Sequence, residues 1–260
     1  MSQEVIWKGV VMAESDDRAV LPPSLELLWG RREVGRRGPK PGLNVDAIVA
    51  AAVEIANAEG LDAVSMARVA KAVGFTTMSL YRYVTNKDEL LQLMWNASAD
   101  GVMEFELEGE TWRSRLLSWA MAQREAIARN IWIVQMPMAT PPLAPNSLRW
   151  MEVGLEALGD TELGDGEKMR VLGLISSHAL IDARMAYDAQ QAKGAGAVPI
   201  DYTAILREVA EEERFPHLHR VAWSGEADDP EPGDDPFAEY RFDLEVMLDG
   251  IEALVERSRS

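Results

Sequence analysis

The sequence predicts an all-α protein, with an N-terminal three-helix helix-turn-helix part followed by a larger helical part. Two observations carry this prediction. Gly74 separates two short amphipathic runs, and from Trp112 onward nearly every segment has apolar residues at helical spacing. No segment alternates apolar and polar residues as a half-buried strand does, and no internal repeat is present.

The composition is that of a protein with a core but without thiol chemistry. Hydrophobic residues make up 47% of the 260 positions, enough for a buried core. The chain has no Cys, which excludes disulfides, a thiol nucleophile and a thiolate metal site. We find neither a signal peptide nor an apolar run near the ~20 residues that span a bilayer. We therefore expect a soluble cytoplasmic protein without membrane contact.

The net charge of −17 is unevenly distributed along the chain. Residues 1–95 hold 11 basic and 12 acidic residues, whereas residues 96–260 hold 15 and 31. The acidity therefore belongs to the second part. Because salt screens charges beyond roughly 10 Å, the acidic part does not exclude local phosphate contacts by the first.

The first 43 residues are expected to form a disordered, basic arm. Residues 1–20 lack any period. Residues 21–30 leave two alternatives open, a helical turn packed on the body or a partly ordered tail. Residues 31–42 carry Arg31, Arg32, Arg36, Arg37 and Lys40 among Gly and Pro. Such an arm either enters a DNA minor groove or is a solvated linker.

The stretch after the arm predicts three short helices. Residues 45–59 have one apolar face and stop at Gly60. Ser65 is placed to cap the next helix, and Gly74 to end it. A second short helix follows, from Thr76 or Thr77 to Val84. The face of this helix opposite Leu80 and Val84 carries hydroxyls, rings and a guanidinium, which suit phosphates and base edges: Thr77, Ser79, Tyr81, Arg82 and Tyr83.

Residues 47–91, AIVAAAVEIANAEGLDAVSMARVAKAVGFTTMSLYRYVTNKDELL, resemble the DNA-binding domain of the tetracycline-repressor (TetR) family of bacterial regulators. The most specific part is SLYRYVTNKDELL. Near the end of the chain, FDLEVMLDGIEALV resembles the last dimerisation helix of the family. The resemblance implies a DNA-binding domain at 44–91 and a ligand-binding and dimerisation domain at 92–260.

The resemblance also implies roles for individual residues. Tyr81 and Lys87 would hold phosphates, and Arg82 would read guanine. Ser65 and Met66 would approach the DNA backbone, although Met66 and Ala67 are apolar where several members have polar or basic contacts. A helix predicted at about 87–105 would connect effector occupancy to the DNA-reading heads.

An effector pocket is expected among the helices that follow. Ring faces and thioethers make adaptable apolar walls, and the candidates are Trp112, Trp119, Trp132, Met136 and Trp150. For any single one of these residues, plain core is the favoured alternative. His178 and Asp182 share a helix face, where they either contact a ligand or form a structural pair.

Two long predicted helices are expected to form the subunit contact. They span 165–192 and about 236–257, and the residues expected at a four-helix dimer interface are Leu172, Ile175, Ala179, Leu244, Met247, Leu248 and Ile251. The alternative is that these helices pack only within one chain. A two-fold dimer would bind a palindromic operator.

No residue set predicts catalysis or a bound metal. His217 and His219 lack a third ligand at metal spacing and are expected in a loop after a helix at 202–215. We expect no cofactor. The sequence thus predicts a homodimeric, ligand-responsive transcriptional regulator, a repressor released from double-stranded operator DNA by a small apolar or aromatic effector. The alternative is a helical small-molecule-binding or interaction protein without specific DNA binding.

Overall fold

The computed structural model describes residues 21–31, 43–102, 104–136, 143–194, 201–224 and 235–259. Every regular element in these ranges is helical. In chain order the α-helices are α1 (Pro23–Leu28), α2 (Val45–Glu59), α3 (Met66–Ala72), α4 (Thr77–Leu80), α5 (Lys87–Ser98), α6 (Trp112–Arg129), α7 (Pro145–Ala157), α8 (Asp165–Gly194), α9 (Tyr202–Val209), α10 (Pro216–Trp223) and α11 (Ala238–Ser258). Short 3₁₀ helices cover Leu61–Ala63 and Ile131–Gln135. Arg36, Arg37, Lys40 and the acidic segment 225–234 lie outside the described residues.

The chain divides into two compact units, residues 1–160 and residues 161–260. The first unit holds α1 to α7, so the predicted DNA-binding segment and the helices as far as residue 157 belong to one body. The division of function at residues 91 and 92 stays a prediction, and the structural division lies at residues 160 and 161.

Helix α1 decides between the two alternatives that the sequence leaves open for residues 21–30, a packed helical turn and a partly ordered tail. Residues 23–28 are helical, so the whole of 1–43 is not a disordered arm. Leu25 is buried and α1 packs against α5. The indole Nε1 of Trp29 also donates a hydrogen bond to the carbonyl oxygen of Leu143 at 3.1 Å.

Helix α2 has the predicted bounds because both of its ends are specified locally. The Asn44 side chain accepts from the backbone N–H of Ala47 at 2.7 Å, an N-cap. Gly60 ends the helix at φ 84°, where a side chain would be strained. The buried face includes Ile48, Val49, Ala52 and Ala56, which brace the two helices that follow.

Two helices of the first unit are shorter than predicted. Regular α-helix in α4 ends at Leu80, and residues 81–83 continue as a turn rather than helix to Val84. Helix α5 ends at Ser98 rather than 105, because the chain turns through Gly101 at φ 88°. Both predictions followed apolar spacing past the true helix ends.

Helices α6 and α7 form the rest of the first unit and pack against each other. Thr111 and Ser114 make a reciprocal capping box at the start of α6, with the Ser114 N–H 3.2 Å from Thr111 Oγ1. Pro145 opens α7, where its missing N–H costs nothing.

In the second unit α8 packs along α11. Asp165 is the first residue of α8 rather than its cap, and Glu167 Oε2 accepts from the Gly164 N–H at 3.0 Å. The prediction of one helix over 202–215 is wrong. The helix breaks at Ala210, and α10 begins at Pro216 because the residue before a proline disfavours helical backbone. His217 and His219 consequently lie in a helix, not in a loop.

No helix among the described residues is both long and apolar enough to cross a bilayer.

Candidate DNA-reading surface and effector site

Helices α3 and α4 form a capped helix-turn-helix. Ser65 Oγ accepts from the Arg68 N–H at 3.3 Å, which caps α3. Gly74 makes the turn at φ 76°. Thr76 Oγ1 then accepts from the Ser79 N–H at 3.3 Å and caps α4. Leu80 and Val84 are fully buried, so the position of α4 is fixed from below.

The outward side of α4 and of the turn after it carries the predicted contact residues. Arg82 and Lys87 are exposed and Tyr81 is 45% exposed, whereas Thr77, Ser79 and Tyr83 are half-buried. The Ser79 hydroxyl lies 2.9 Å from that of Thr76, so it is partly engaged within the turn. The Arg82 guanidinium has no side-chain partner among the described residues and is available to a ligand.

The structure does not support a DNA contact by the Met66 side chain. Met66 is only 8% exposed and belongs to the core of the first unit. It is the first residue of α3, and its thioether turns inward with Val69 and Ala70. Ser65 is exposed, but its hydroxyl already serves as the cap of α3.

Two residues of this surface were not predicted. Met78 is 76% exposed, the largest exposed fraction among the large apolar residues described, and it lies on α4. Apolar exposure in the middle of a polar helix face is the signal that marks it. Glu89 is buried at 3% exposure, and its Oε2 accepts from the Thr85 N–H at 2.5 Å and from the Thr85 hydroxyl. It joins the turn after α4 to α5.

Of the five predicted aromatic and thioether pocket residues, the structure shows Trp119 of α6 and Trp150 of α7 in contact, and a pocket around them stays a prediction. Trp119 and Trp150 stack with centroids 5.6 Å apart, and Trp119 Nε1 donates to the Trp150 carbonyl oxygen at 3.0 Å. Phe105 lies against Trp150 at 5.1 Å. Trp132 and Met136 are buried, while Trp112 at the start of α6 is half-buried.

Three buried polar atoms, on Gln123 and on two of the predicted pocket residues, lack hydrogen-bond partners among the described residues. The indole N–H groups of Trp132 and Trp150 and the Oε1 of Gln123 are buried without a hydrogen-bond partner among the described residues. A buried polar group left unpaired costs about 1–3 kcal/mol. Gln123 lies one turn from Trp119 on α6. These groups can therefore offer both donors and an acceptor to a bound molecule.

His178 and Asp182 belong to the second unit, apart from the tryptophans with which they were grouped. His178 stacks on Tyr240 with centroids 5.3 Å apart, and its Nε2 lies 3.2 Å from Asp243 Oδ2. These contacts join α8 to α11. They favour the structural alternative for His178 over a ligand contact.

Six of the seven predicted dimerisation residues are buried within one chain. Helices α8 and α11 enclose Leu172, Ile175, Ala179, Leu244, Leu248 and Ile251, and only Met247 is half-buried. These positions form the seam between the two helices of one chain, and their contact with a partner stays a prediction. The same helices expose another apolar set on their outer faces: Leu174, Ile181, Met185, Phe242 and Val246.

Hydrogen bonds fasten the helix-turn-helix to the rest of the first unit at two places. Gln135 Oε1 accepts from the Leu61 N–H at 3.2 Å, and Asn57 donates to Asn130 Oδ1 at 3.4 Å. These bonds tie the end of α2 to the 3₁₀ helix that carries Trp132.

The second fastening joins α5 to α7. Trp95 Nε1 donates to Ser147 Oγ at 3.0 Å. Asn146 donates its backbone N–H to Asn96 Oδ1 at 3.0 Å and its side-chain amide to the Asn96 carbonyl oxygen at 2.9 Å. Helix α5 is therefore held to α7 by directional bonds as well as by packing.

A capped helix-turn-helix on a helical body defines a class of DNA-binding regulators, and comparison with known proteins gives the family. Residues 48–94 match the family model described as bacterial regulatory proteins, tetR family. Residues 106–255 match the tetracyclin repressor-like C-terminal domain.

Similar proteins agree with these matches. The HTH-type transcriptional repressor DrrR1 of Streptomyces coeruleorubidus is 33% identical over 242 residues, covering 91% of this chain and 87% of that protein. The crystal structure of the Streptomyces coelicolor TetR family protein ActR in complex with actinorhodin has a TM-score of 0.68 at 26% identity, covering 83% of this chain and 98% of that one. A possible TetR family regulator from the same organism has a TM-score of 0.62 at 27% identity, with 81% and 100% covered.

The chain belongs to the TetR family of transcriptional regulators. It is a ligand-responsive, DNA-binding repressor of that family.

Proposed function

We propose that the protein is a homodimer that represses transcription from a palindromic operator and leaves it when a small aromatic molecule binds near Trp119 and Trp150. The observation that carries this proposal is the outward side of α4. It exposes the guanidinium of Arg82, the phenol of Tyr81 and the thioether of Met78. The inner side of α4 is buried, and Thr76 caps its N-terminus.

In this proposal each exposed group has a chemical role on DNA. Arg82 makes a bidentate contact with guanine, and Met78 packs against a thymine methyl group. Tyr81 and Lys87 bind phosphates and fix the register. Thr77, Ser79, Tyr83 and the Ser65 end of α3 lie along the same contact, and Arg36, Arg37 and Lys40 add a basic arm.

The effector is proposed to bind beside the stacked pair of Trp119 and Trp150. A planar ring matches the stack, and polar substituents satisfy the buried indole N–H groups of Trp132 and Trp150. The crystallised complex of ActR with actinorhodin supports a small-molecule site in this fold.

The signal is proposed to pass through the 3₁₀ helix at Ile131–Gln135. Trp132 is one of the predicted effector residues, and Gln135 in the same 3₁₀ helix accepts from the Leu61 N–H, so one turn of chain would connect the effector to the helix-turn-helix. An effector that prefers the arrangement without this bond shifts the population away from the DNA-binding state by its differential affinity.

The homodimer is proposed to form through the outer faces of α8 and α11. Leu174, Ile181 and Met185 repeat along one side of α8, and Phe242 and Val246 lie one turn apart on α11. Burying such side chains between two copies stabilises a two-fold dimer. Acting on chromosomal DNA, the protein would work in the cytoplasm.

Selection from random duplex DNA by the purified full-length protein tests this function. We expect an inverted repeat whose half-sites are spaced about one helical turn apart, ~34 Å. The selected duplex then reports effectors, because aromatic compounds that quench the tryptophans should also release it. Folded protein that enriches no motif at low salt would contradict specific DNA binding and favour the alternative of a helical small-molecule-binding protein.

A further inference from the structure

Helix α1 contacts two elements of the first unit, α5 and the residues that lead into α7. Leu25 is 7% exposed, and α1 packs against α5. Trp29, directly after α1, donates its indole N–H to the Leu143 carbonyl oxygen at 3.1 Å. Leu143 lies two residues before Pro145, the first residue of α7. Helix α1 is therefore held to one element by apolar packing and to the other by a directional hydrogen bond.

Helix α5, which α1 contacts, begins just after the predicted DNA-reading helix. Glu89 in the first turn of α5 accepts from the N–H and the hydroxyl of Thr85, which lies in the turn after α4. Helix α5 also packs against α2, the helix that braces the helix-turn-helix. A change in the direction of α5 would therefore carry α4 with it.

The junction between α5 and α7 is bonded at the far end of α5. The bond from Trp95 to Ser147 and the bonds between Asn96 and Asn146 join the last turn of α5 to the first turn of α7. Helix α1 adds two further contacts to the same pair of elements, one on α5 and one just before α7. These contacts come from a segment that is distant from both elements in the sequence.

Helix α1 itself carries no group suited to binding DNA. Its sequence is PSLELL, and Glu26 is its only charged residue. A carboxylate is repelled by the phosphates of DNA. An effect of α1 on DNA binding must therefore act through the helices that it contacts.

We propose that α1 is a positioning element for operator binding, which holds α5 in a fixed orientation against the start of α7. The inference rests on the proposed homodimer on a palindromic operator, and it adds a determinant of the spacing between the two DNA-reading heads. A fixed α5 keeps each α4 where it reaches its own half-site while the other head is bound. Without the contacts of α1 fewer molecules have this arrangement, and the apparent dissociation constant rises as the competent fraction falls.

Binding to a full palindrome and to a single half-site tests this role. Both duplexes are made from the motif that the protein selects from random DNA. Leu25→Ala should raise the dissociation constant for the palindrome by about fivefold or more and that for the half-site by less than about twofold, because a half-site does not constrain the second head. The variant should also discriminate less than the wild type against a palindrome with one extra base pair between its half-sites.

A second variant and a control separate positioning from general destabilisation. Trp29→Phe keeps the ring and removes only the donor to Leu143, so it tests the proposal even if Leu25→Ala does not fold. It should weaken binding to the palindrome by about threefold and leave the half-site unchanged. Leu163→Ala is the matched control, since Leu163 is buried in the second unit. It should destabilise the protein but keep the ratio of the two dissociation constants within about twofold.

Fluorescence anisotropy of the labelled duplexes, on protein shown by circular dichroism to be folded, distinguishes the outcomes. If the α1 variants weaken both duplexes alike, or weaken neither, positioning by α1 is overturned and the proposed operator is left intact. If the wild type itself binds the half-site as tightly as the palindrome, the proposed two-fold operator is wrong and the role of α1 is overturned with it.

Discussion

The buried carboxylate of Glu89 positions the turn that follows α4, the predicted DNA-reading helix. It accepts from the Thr85 N–H and hydroxyl while its own N–H is bound by Asn86 at 2.8 Å. The turn after α4 and the first turn of α5 are thereby locked together. The sequence predicts a helix from about residue 87, but the bonds that the buried glutamate accepts from Thr85 depend on how the turn packs.

We expect Glu89→Ala to destabilise the protein by about 1–3 kcal/mol, because two donors of Thr85 lose their acceptor. Denaturant unfolding followed by circular dichroism measures this loss. Glu54→Ala, on the exposed side of α2, is the control and should change stability by less than about 0.5 kcal/mol. Equal effects of the two substitutions would show that Glu89 does not hold the turn.

Glu162 and Arg259 form an exposed pair at 3.0 Å that joins the start of the second unit to its last helix. The hydrogen bond from Arg259, supported by one from the backbone of Glu162 itself, lowers the pKa of the Glu162 carboxyl. A lowered folded-state pKa contributes stability above the unfolded pKa of about 4.3, and this contribution is lost as the pH falls through the folded value.

Glu162→Gln should therefore lower Tm slightly at neutral pH and by less at about pH 3, because protonation of the wild-type carboxyl removes its contribution. Differential scanning calorimetry at the two pH values measures the difference. A Tm difference that persists unchanged in acid would show that the charge of Glu162 is not its cause.

At the scale of elements, local signals were sufficient where a helix end is specified by its own residues. Ser65 is a cap and Gly60 and Gly74 are stops that the sequence shows directly, and the end of α2 and the turn after α3 follow them. The prediction of one helix over 202–215 was wrong because it extended the apolar spacing across the break at Ala210. It also overlooked the effect of Pro216 on the residue before it.

The predicted dimer residues show a different limit of sequence periodicity. Helix α8 has apolar residues on two sides, one with Ile175 and Ala179 and the other with Leu174 and Ile181. Periodicity identifies both stripes as apolar. It cannot tell which stripe α11 of the same chain covers, because that depends on long-range packing.

The 3₁₀ helix at Ile131–Gln135 is predicted to couple the effector to DNA. Gln135→Leu removes the acceptor of the Leu61 N–H and leaves Trp132 in place. We expect effector binding, followed by tryptophan quenching, to change by less than about threefold, whereas the change in operator affinity caused by the effector shrinks by about fivefold or more. Gln92→Leu on α5, which is exposed, serves as the control.

Fluorescence anisotropy of a labelled operator, titrated with and without effector, gives that change in affinity directly. If Gln135→Leu retains the full release of operator, the signal takes another route, and the α5–α7 bonds of Asn96 and Asn146 are the next candidates.

For the whole molecule, the part of the chain that is proposed to bind DNA is separate from the part that carries the excess of acidic residues. The residues proposed to face DNA lie in the first 95, where acidic and basic residues nearly balance, and the excess of acid lies in residues 96–260. The acidic part weakens non-specific binding to DNA, so discrimination depends on the few contacts of α4.

Self-association is predicted to depend on the outer face of α8. Ile181→Glu places a charge in the proposed contact and should raise the dimer dissociation constant by at least tenfold, as measured by sedimentation equilibrium. Gln190→Glu, an exposed position further along the same helix, should leave it within about twofold. An unchanged constant for Ile181→Glu would place the dimer interface elsewhere.

The central claim is that Arg82 reads sequence from a fixed recognition helix, and affinity of Arg82→Ala for the selected operator and for a scrambled duplex tests it most directly. We predict a loss of about 1–3 kcal/mol on the operator and little on scrambled DNA, since only the base contact discriminates. Lys87→Ala, which removes a phosphate contact, should weaken both duplexes alike and reduce the salt slope by about one. Equal losses on both duplexes for Arg82→Ala would contradict the account.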